Sequence, residues 1–133
     1  MIEFIIPMRA VSWNIFYGGK HWSVRSKLKN DWFILTRQYM RRTPYYKEMI
    51  TTVRVPLKIT IESYAKQPID ADNCASGKFI IDTIKKELGI DDDPKTIPEV
   101  TFRSNRSIKE YIIVKIESYD NRENQKPGGD FQV

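Results

Sequence analysis

Two carboxylates stand at i and i+2 in Asp70-Ala71-Asp72, and on an extended segment side chains at that spacing point to one side of the chain. Both can then face one ion. A third carboxylate is available from Asp91, Asp92 or Asp93, separated from the pair by one helix-length stretch of about 16 residues. If that stretch returns the chain to the same end of a sheet, three acids converge. Crowded carboxylates resist ionising together, and a hard, oxygen-seeking divalent cation relieves the repulsion. The donor type points to Mg²⁺, with Mn²⁺ as the substitute. Zinc does not fit, because the soft or imidazole donors are one cysteine, Cys74, and one histidine, His21, 53 residues apart. An EF-hand loop beginning at Asp70 also fails, since Ala75 stands where glycine is required and Ile81 where the closing glutamate belongs. The same acids have a plainer reading: Asp72 or Asn73 caps a helix, and Asp91 to Asp93 solvate a turn.

Several elements must position these residues. Ile2 to Ile6 reads as a first strand ending at Pro7, and residues 8 to 24 as a loop in which Trp13, Phe16, Tyr17 and Trp22 are interleaved with Lys20, His21 and Arg25. Leu28, Trp32, Leu35 and Tyr39 mark one face of a helix from about Ser26 to Met40, with Lys27, Lys29, Arg37, Arg41 and Arg42 on or beside it. Pro44 ends or kinks that helix, and Tyr45 to Thr52 reads as a further helical turn. Val53 to Lys66 alternates as a second strand, broken at Pro68. Ile80, Ile81, Ile84 and Leu88 give a second helix over 73 to 88, weakened at its start by Gly77 and closed by Gly89. Val100 to Arg103 and Tyr111 to Ile116 read as a closing antiparallel hairpin through Ser104 to Ser107. The expected fold is α+β, a small mixed sheet of about four strands with two main helices. Residues 1 to 118 form the domain, and 119 to 133 a polar tail.

Composition limits what such a domain does. The chain has 133 residues, 41% of them hydrophobic and 29% charged, which matches one globular domain and leaves no room for a second catalytic one. The longest apolar runs are four residues, Trp32 to Leu35 and Tyr111 to Val114, against the roughly 20 a membrane helix needs. The opening Met1-Ile2-Glu3-Phe4 carries no secretory pattern, and one cysteine excludes an intrachain disulfide, so the expected compartment is a reducing cytoplasm. Net charge is +5 but unevenly placed. Residues 1 to 66 hold 12 Lys and Arg against 4 Asp and Glu, whereas residues 67 to 133 hold 10 against 13. A basic half beside an acidic cluster suits a polyanion-binding surface next to a cation site.

The run DADN (70 to 73), Lys78, IIDTI (80 to 84) and GIDDDPKTI (89 to 97) resembles the RusA family of Holliday-junction resolvases. In that family an Asp-x-Asp-Asn motif leads into a helix bearing a lysine and an aspartate, and a later Asp-Asp pair completes the site. Ser12-Trp13-Asn14, downstream of Pro7, is similar to the family's amino-terminal Pro-Ser-x-Asn element. The resemblance covers about residues 2 to 117 and implies a RusA-like fold and Mg²⁺-dependent hydrolysis of phosphodiesters in four-way or related branched DNA.

Position by position, the resemblance implies that Asp70, Asp72 and Asp93 are metal-binding acids, with Asp92 beside Asp93, and that Lys78 matches the catalytic lysine. Asp82 is either its i, i+4 partner or a solvated residue. Gln67-Pro68-Ile69 replaces a basic run found in some members, which moves the expected DNA contacts to Asn14, Lys20, Arg25, Lys27, Lys29, Arg37, Arg41 and Arg42. Trp13, Phe16, Tyr17 and Trp22 are candidates for stacking on unpaired bases. A homodimer is also implied, because two equivalent sites match the two strands of a junction. The competing expectation is a non-catalytic nucleic-acid-binding module. A nucleotidyltransferase fits less well, since Gly18-Gly19 ends 51 residues before Asp70.

Overall fold

A computed structural model describes residues 1–19, 21–91 and 93–119, so Lys20, Asp92 and the tail from residue 120 lie outside the described residues. The elements run β1 (Ile2–Ile6), α1 (Trp13–Tyr17), α2 (Trp22–Arg41), α3 (Tyr46–Thr52), β2 (Leu57–Ala65), a 3₁₀ turn (Ala71–Asn73), α4 (Ala75–Leu88), β3 (Glu99–Arg106) and β4 (Tyr111–Ser118). This is the expected α+β class with a four-stranded mixed sheet. The strand order is β1-β4-β2-β3.

The expected terminal hairpin is not formed. β4 pairs antiparallel with β1 and β2, while β3 pairs parallel with the other edge of β2, so residues 107 to 110 carry the chain across the end of β2. Alternation of apolar residues decides which face of a strand is buried, but not which neighbour it pairs with. A parallel partner requires a crossover, and the stretch containing α4 supplies it between β2 and β3.

One face of the sheet is the core. Ile2, Phe4 and Ile6 of β1 lie in register with Ile116, Val114 and Ile112 of β4, which meet Ile59, Ile61 and Ser63 of β2. Trp32, Thr36 and Met40 of α2 and Phe79, Ile80 and Ile84 of α4 are buried among the core residues. The other face carries a row of charges: Glu62 on central β2 is 8% exposed and takes Arg103 from β3 at 3.3 Å and Lys115 from β4 at 3.3 Å. Among the described residues no helix is long and apolar enough to cross a membrane.

Residues 8 to 24 are more ordered than a loop. Ser12 accepts a hydrogen bond from the Ile15 amide at 3.1 Å and so caps α1, and His21 Nδ1 accepts from the Ser23 amide at 3.2 Å at the start of α2. Caps of this kind stabilise a one-turn helix that apolar periodicity is too short to reveal.

Candidate functional site

The segment after β1 fixes the start of α4. The Val11 carbonyl accepts from the amides of Ala75 at 2.8 Å and Ser76 at 3.2 Å, the Val11 amide donates to Ser76 Oγ at 3.0 Å, and Ser12 forms an antiparallel bridge with Cys74. A helix start needs partners for its first amides, and here a backbone carbonyl from another segment provides them. Cys74 occupies the N-cap and its side chain makes no capping bond, so neither Asp72 nor Asn73 caps α4 as the sequence predicts. The Asp72 carboxylate is left to the surface.

A second tether shapes the acidic segment. Ser104 Oγ of β3 donates to the Ile69 carbonyl, and the chain then turns through Ala71–Asn73 with the Asn73 amide bonded to the Asp70 carbonyl at 2.9 Å. Asp70 itself is extended, but Ala71 to Asn73 is a 3₁₀ turn, so the period-two argument for Asp70 and Asp72 does not hold. Both are exposed.

Asp72 borders a cleft of about 450 Å³ between α4 and the β3 edge. Its charged lining consists of Asp72, Lys78, Asp82 and Lys85, and its apolar lining includes Trp13, Ile97 and Phe102. Lys78 Nζ lies 3.5 Å from Asp82 Oδ2, and Lys85 Nζ lies 3.7 Å from Oδ1 of the same carboxylate. Asp82 is therefore the ion-pair partner of Lys78, one of its two expected roles. Asp70 and Asp93 are not among the residues lining this cleft.

Asp93 lies apart from Asp70 and Asp72 in the subunit. β2 and β3 are parallel, so α4 carries the chain back to the end of the sheet where β2 begins, not to the end where Asp70 and Asp72 sit. The 14 residues of α4 span about 21 Å, and Asp93 follows the far end. There it holds a turn: Asp93 Oδ1 accepts from the Lys95 amide at 2.8 Å, and its carbonyl accepts from the amides of Thr96 at 2.9 Å and Ile97 at 3.1 Å. Among the described residues no group of three His, Cys, Asp or Glu side chains is placed to share a metal ion. The three-acid cage of Asp70, Asp72 and Asp93 is thus not assembled within one subunit. Asp70 and Asp72 alone still suit Mg²⁺, which is commonly held by one or two carboxylates together with substrate phosphates.

The basic and aromatic residues divide into two groups. Trp13 stacks on Tyr17 with centroids 5.5 Å apart, Arg25 lies over the Tyr17 ring at 5.5 Å, and Asn14 is exposed on the same short helix. Tyr17 and Trp22 are 58% and 66% exposed, and Tyr17 is the ring that lies against Trp13 of the cleft wall. Phe16 instead is buried against Phe79, with centroids 5.2 Å apart, and belongs to the core. Lys27 pairs with Asp31 at 3.1 Å, Lys29 lies over Phe33 and Arg42 over Tyr39.

Arg37 and Arg41 form a different constellation, around Glu87. Arg41 donates to both carboxylate oxygens at 3.1 and 2.9 Å, the Tyr46 hydroxyl donates at 2.7 Å, and Arg37 Nε sits at 3.0 Å. Burial pushes the Glu87 carboxyl up, but the hydrogen bonds from Arg41 and Tyr46 and the two guanidinium charges outweigh it and hold the group below the ordinary carboxylate range. Burial, followed by the bond to Glu87, pushes the Tyr46 phenol up to about 12. These two arginines anchor α2 to α4, as Tyr46 anchors α3, so their guanidinium groups are already committed to a carboxylate. One signal for this was available: Glu87 falls seven residues after Ile80 and three after Ile84, on the apolar stripe of α4, where a charge needs partners.

No family model, curated protein or solved structure matches this chain.

Proposed function

We propose that the protein binds branched DNA across the α4–β3 cleft and hydrolyses phosphodiesters there with Mg²⁺, in the manner of the RusA-family resolvases that its acidic motif resembles. The observation that carries this reading is that Asp72 and Lys78 line one cleft with Trp13, against whose ring the exposed Tyr17 stacks. Asp70 and Asp72 would hold the ion, and when bound it would offset the negative charge of the scissile phosphate. Lys78, with Asp82 fixing its ammonium group, would contact a phosphate oxygen at the same position. Trp13 and Tyr17 would stack on bases left unpaired at a branch, with Arg25 behind Tyr17 adding positive charge. Two sites related by a two-fold axis would suit the two strands of a junction, so the proposal includes a homodimer.

A cleavage panel of four-way junction, fork, duplex and single strand, with and without Mg²⁺, tests the reading. Cleavage is expected on the branched forms, in Mg²⁺ or Mn²⁺ only, and Asp70→Asn and Asp72→Asn are expected to abolish it while binding persists. Variants that cut as fast as the parent protein would refute the assignment of these acids. The position of Asp93 favours a second reading, a binding module without catalysis, and branched DNA bound but left intact under every condition would select it.

A further inference from the structure

The cleft continues past Asp82 and Lys85, which also line a second groove, of about 550 Å³, between α2 and α4. Three lysines, Lys29, Lys85 and Lys86, line this second groove with Asp82 as its carboxylate. That carboxylate is already shared, 3.5 Å from Lys78 and 3.7 Å from Lys85. Lys29 and Lys86 approach from different helices and converge on one ring: Lys86 Nζ is 4.3 Å from the Phe33 centroid and Lys29 Nζ 6.0 Å. An aromatic quadrupole attracts a cation but does not neutralise it, and two ammonium groups brought to one ring repel each other. Positive charge gathered in this way is relieved by an anion. Ser26 and Asn30, one helical turn apart on α2, add neutral hydrogen-bonding groups to the same wall.

We infer that the α2–α4 groove is a phosphate-binding track that receives the backbone of a DNA strand leaving the cleft, held by Lys29 and Lys86 over Phe33. This rests on the nucleic-acid reading above and extends it to Lys85 and Lys86, which lie outside the basic segment singled out by the sequence. A strand that runs from Asp72 past Lys78 to Lys85 follows one face of α4, because these helical positions are seven residues apart. Contacts of this kind are made to phosphates, so the track should favour no base sequence.

The test uses the full chain and the double variant Lys29→Ala/Lys86→Ala, since alanine is well accepted in helices and both lysines are exposed. Lys85 is left in place because its side chain is only 13% exposed. Binding of a fluorescent four-way junction is measured by anisotropy over a range of salt concentrations. Each duplex phosphate contact contributes about 0.9 to the slope of log K against log salt, so the double variant should lose about 2 from that slope. The charge-preserving Lys29→Arg/Lys86→Arg variant should keep it, and the control Lys47→Ala/Lys95→Ala should match the parent. A parent that binds DNA while the double alanine variant keeps the full slope would overturn the track and leave the nucleic-acid reading intact. A parent with no salt-dependent DNA binding would overturn both. Phosphatidylserine vesicles serve as the competing anionic surface, and vesicle binding that the double alanine variant loses, with DNA binding unchanged, would also overturn the track.

Discussion

Gly77 lies directly against Phe102: a Cβ added at Gly77 would stand 2.3 Å from Cε1 of that ring. Helix propensity counts against glycine at this position, but the approach of α4 to β3 leaves no space for a side chain. Close packing therefore decides the residue and sets the width of the cleft beside it. Gly77→Ala should destabilise the protein, because overpacking of about 1–3 kcal/mol outweighs a helix-propensity gain of about 0.5–1 kcal/mol. Urea unfolding checks this, and Phe102→Leu in the Gly77→Ala background should recover part of the loss. A Gly77→Ala variant more stable than the parent would show that Phe102 swings aside without cost.

Glu87→Gln should cost about 1–3 kcal/mol, as it leaves two guanidinium groups and a phenol around an uncharged amide in a largely buried position. The pH dependence follows from the directions of the shifts. The Glu87 carboxyl releases its proton more readily in the folded chain, so the stability it adds is present above the ordinary carboxylate range and is lost as pH falls through that range to the lower folded value. Tyr46 runs the other way: its phenol keeps its proton up to about 12 in the fold against 10.0 ordinarily, so stability is complete below about 10 and declines between about 10 and about 12. Urea midpoints recorded across both ranges should show the acid limb flattened in Glu87→Gln and the alkaline limb flattened in Tyr46→Phe.

What the sequence revealed and what it concealed have a common physical cause. Periodicity within one element is local, so the stripe of Ile80, Ile84 and Leu88, the alternation of β2 and the left-handed Gly89 at the end of α4 were all legible. Pairing between elements is not local. The insertion of β2 between β3 and β4 could not be read from either strand, nor could the parallel pairing of β2 with β3, which leaves Asp93 at the opposite end of α4 from Asp72. Likewise, the cap of α4 comes from Val11, more than sixty residues upstream, which no motif around Asp72 announces. Arg37 and Arg41 looked like a free basic face because their partner, Glu87, belongs to another helix.

Placing Asp93 beyond the far end of α4 separates its expected role from that of Asp72. Asp93→Asn retains an oxygen that can accept from the Lys95 amide, so stability should change little, and junction cleavage should persist where Asp72→Asn abolishes it. Asp93→Ala should cost about 0.5–1.5 kcal/mol by removing that bond. Cleavage rates and urea midpoints for the three variants check the contrast. Cleavage lost in Asp93→Asn at unchanged stability would mean that a second copy of the chain brings Asp93 to the acids of the first.

The aromatic residues of the amino-terminal segment should separate into two classes by the same logic. Phe16 is 6% exposed and touches Phe79 across the core, whereas Trp22 is 66% exposed and Tyr17 58%. Phe16→Ala should therefore cost about 3–5 kcal/mol of stability. Trp22→Ala and Tyr17→Ala should leave the urea midpoint nearly unchanged. Their effect should fall on DNA instead, each weakening the binding of a single strand or an open junction by about 1–3 kcal/mol if a base stacks on that ring. Intact duplex offers no unpaired base, so its affinity should be much less affected, and that difference separates stacking from a general loss of surface area. Equal weakening on duplex and open junction would remove these rings from the recognition of branch points.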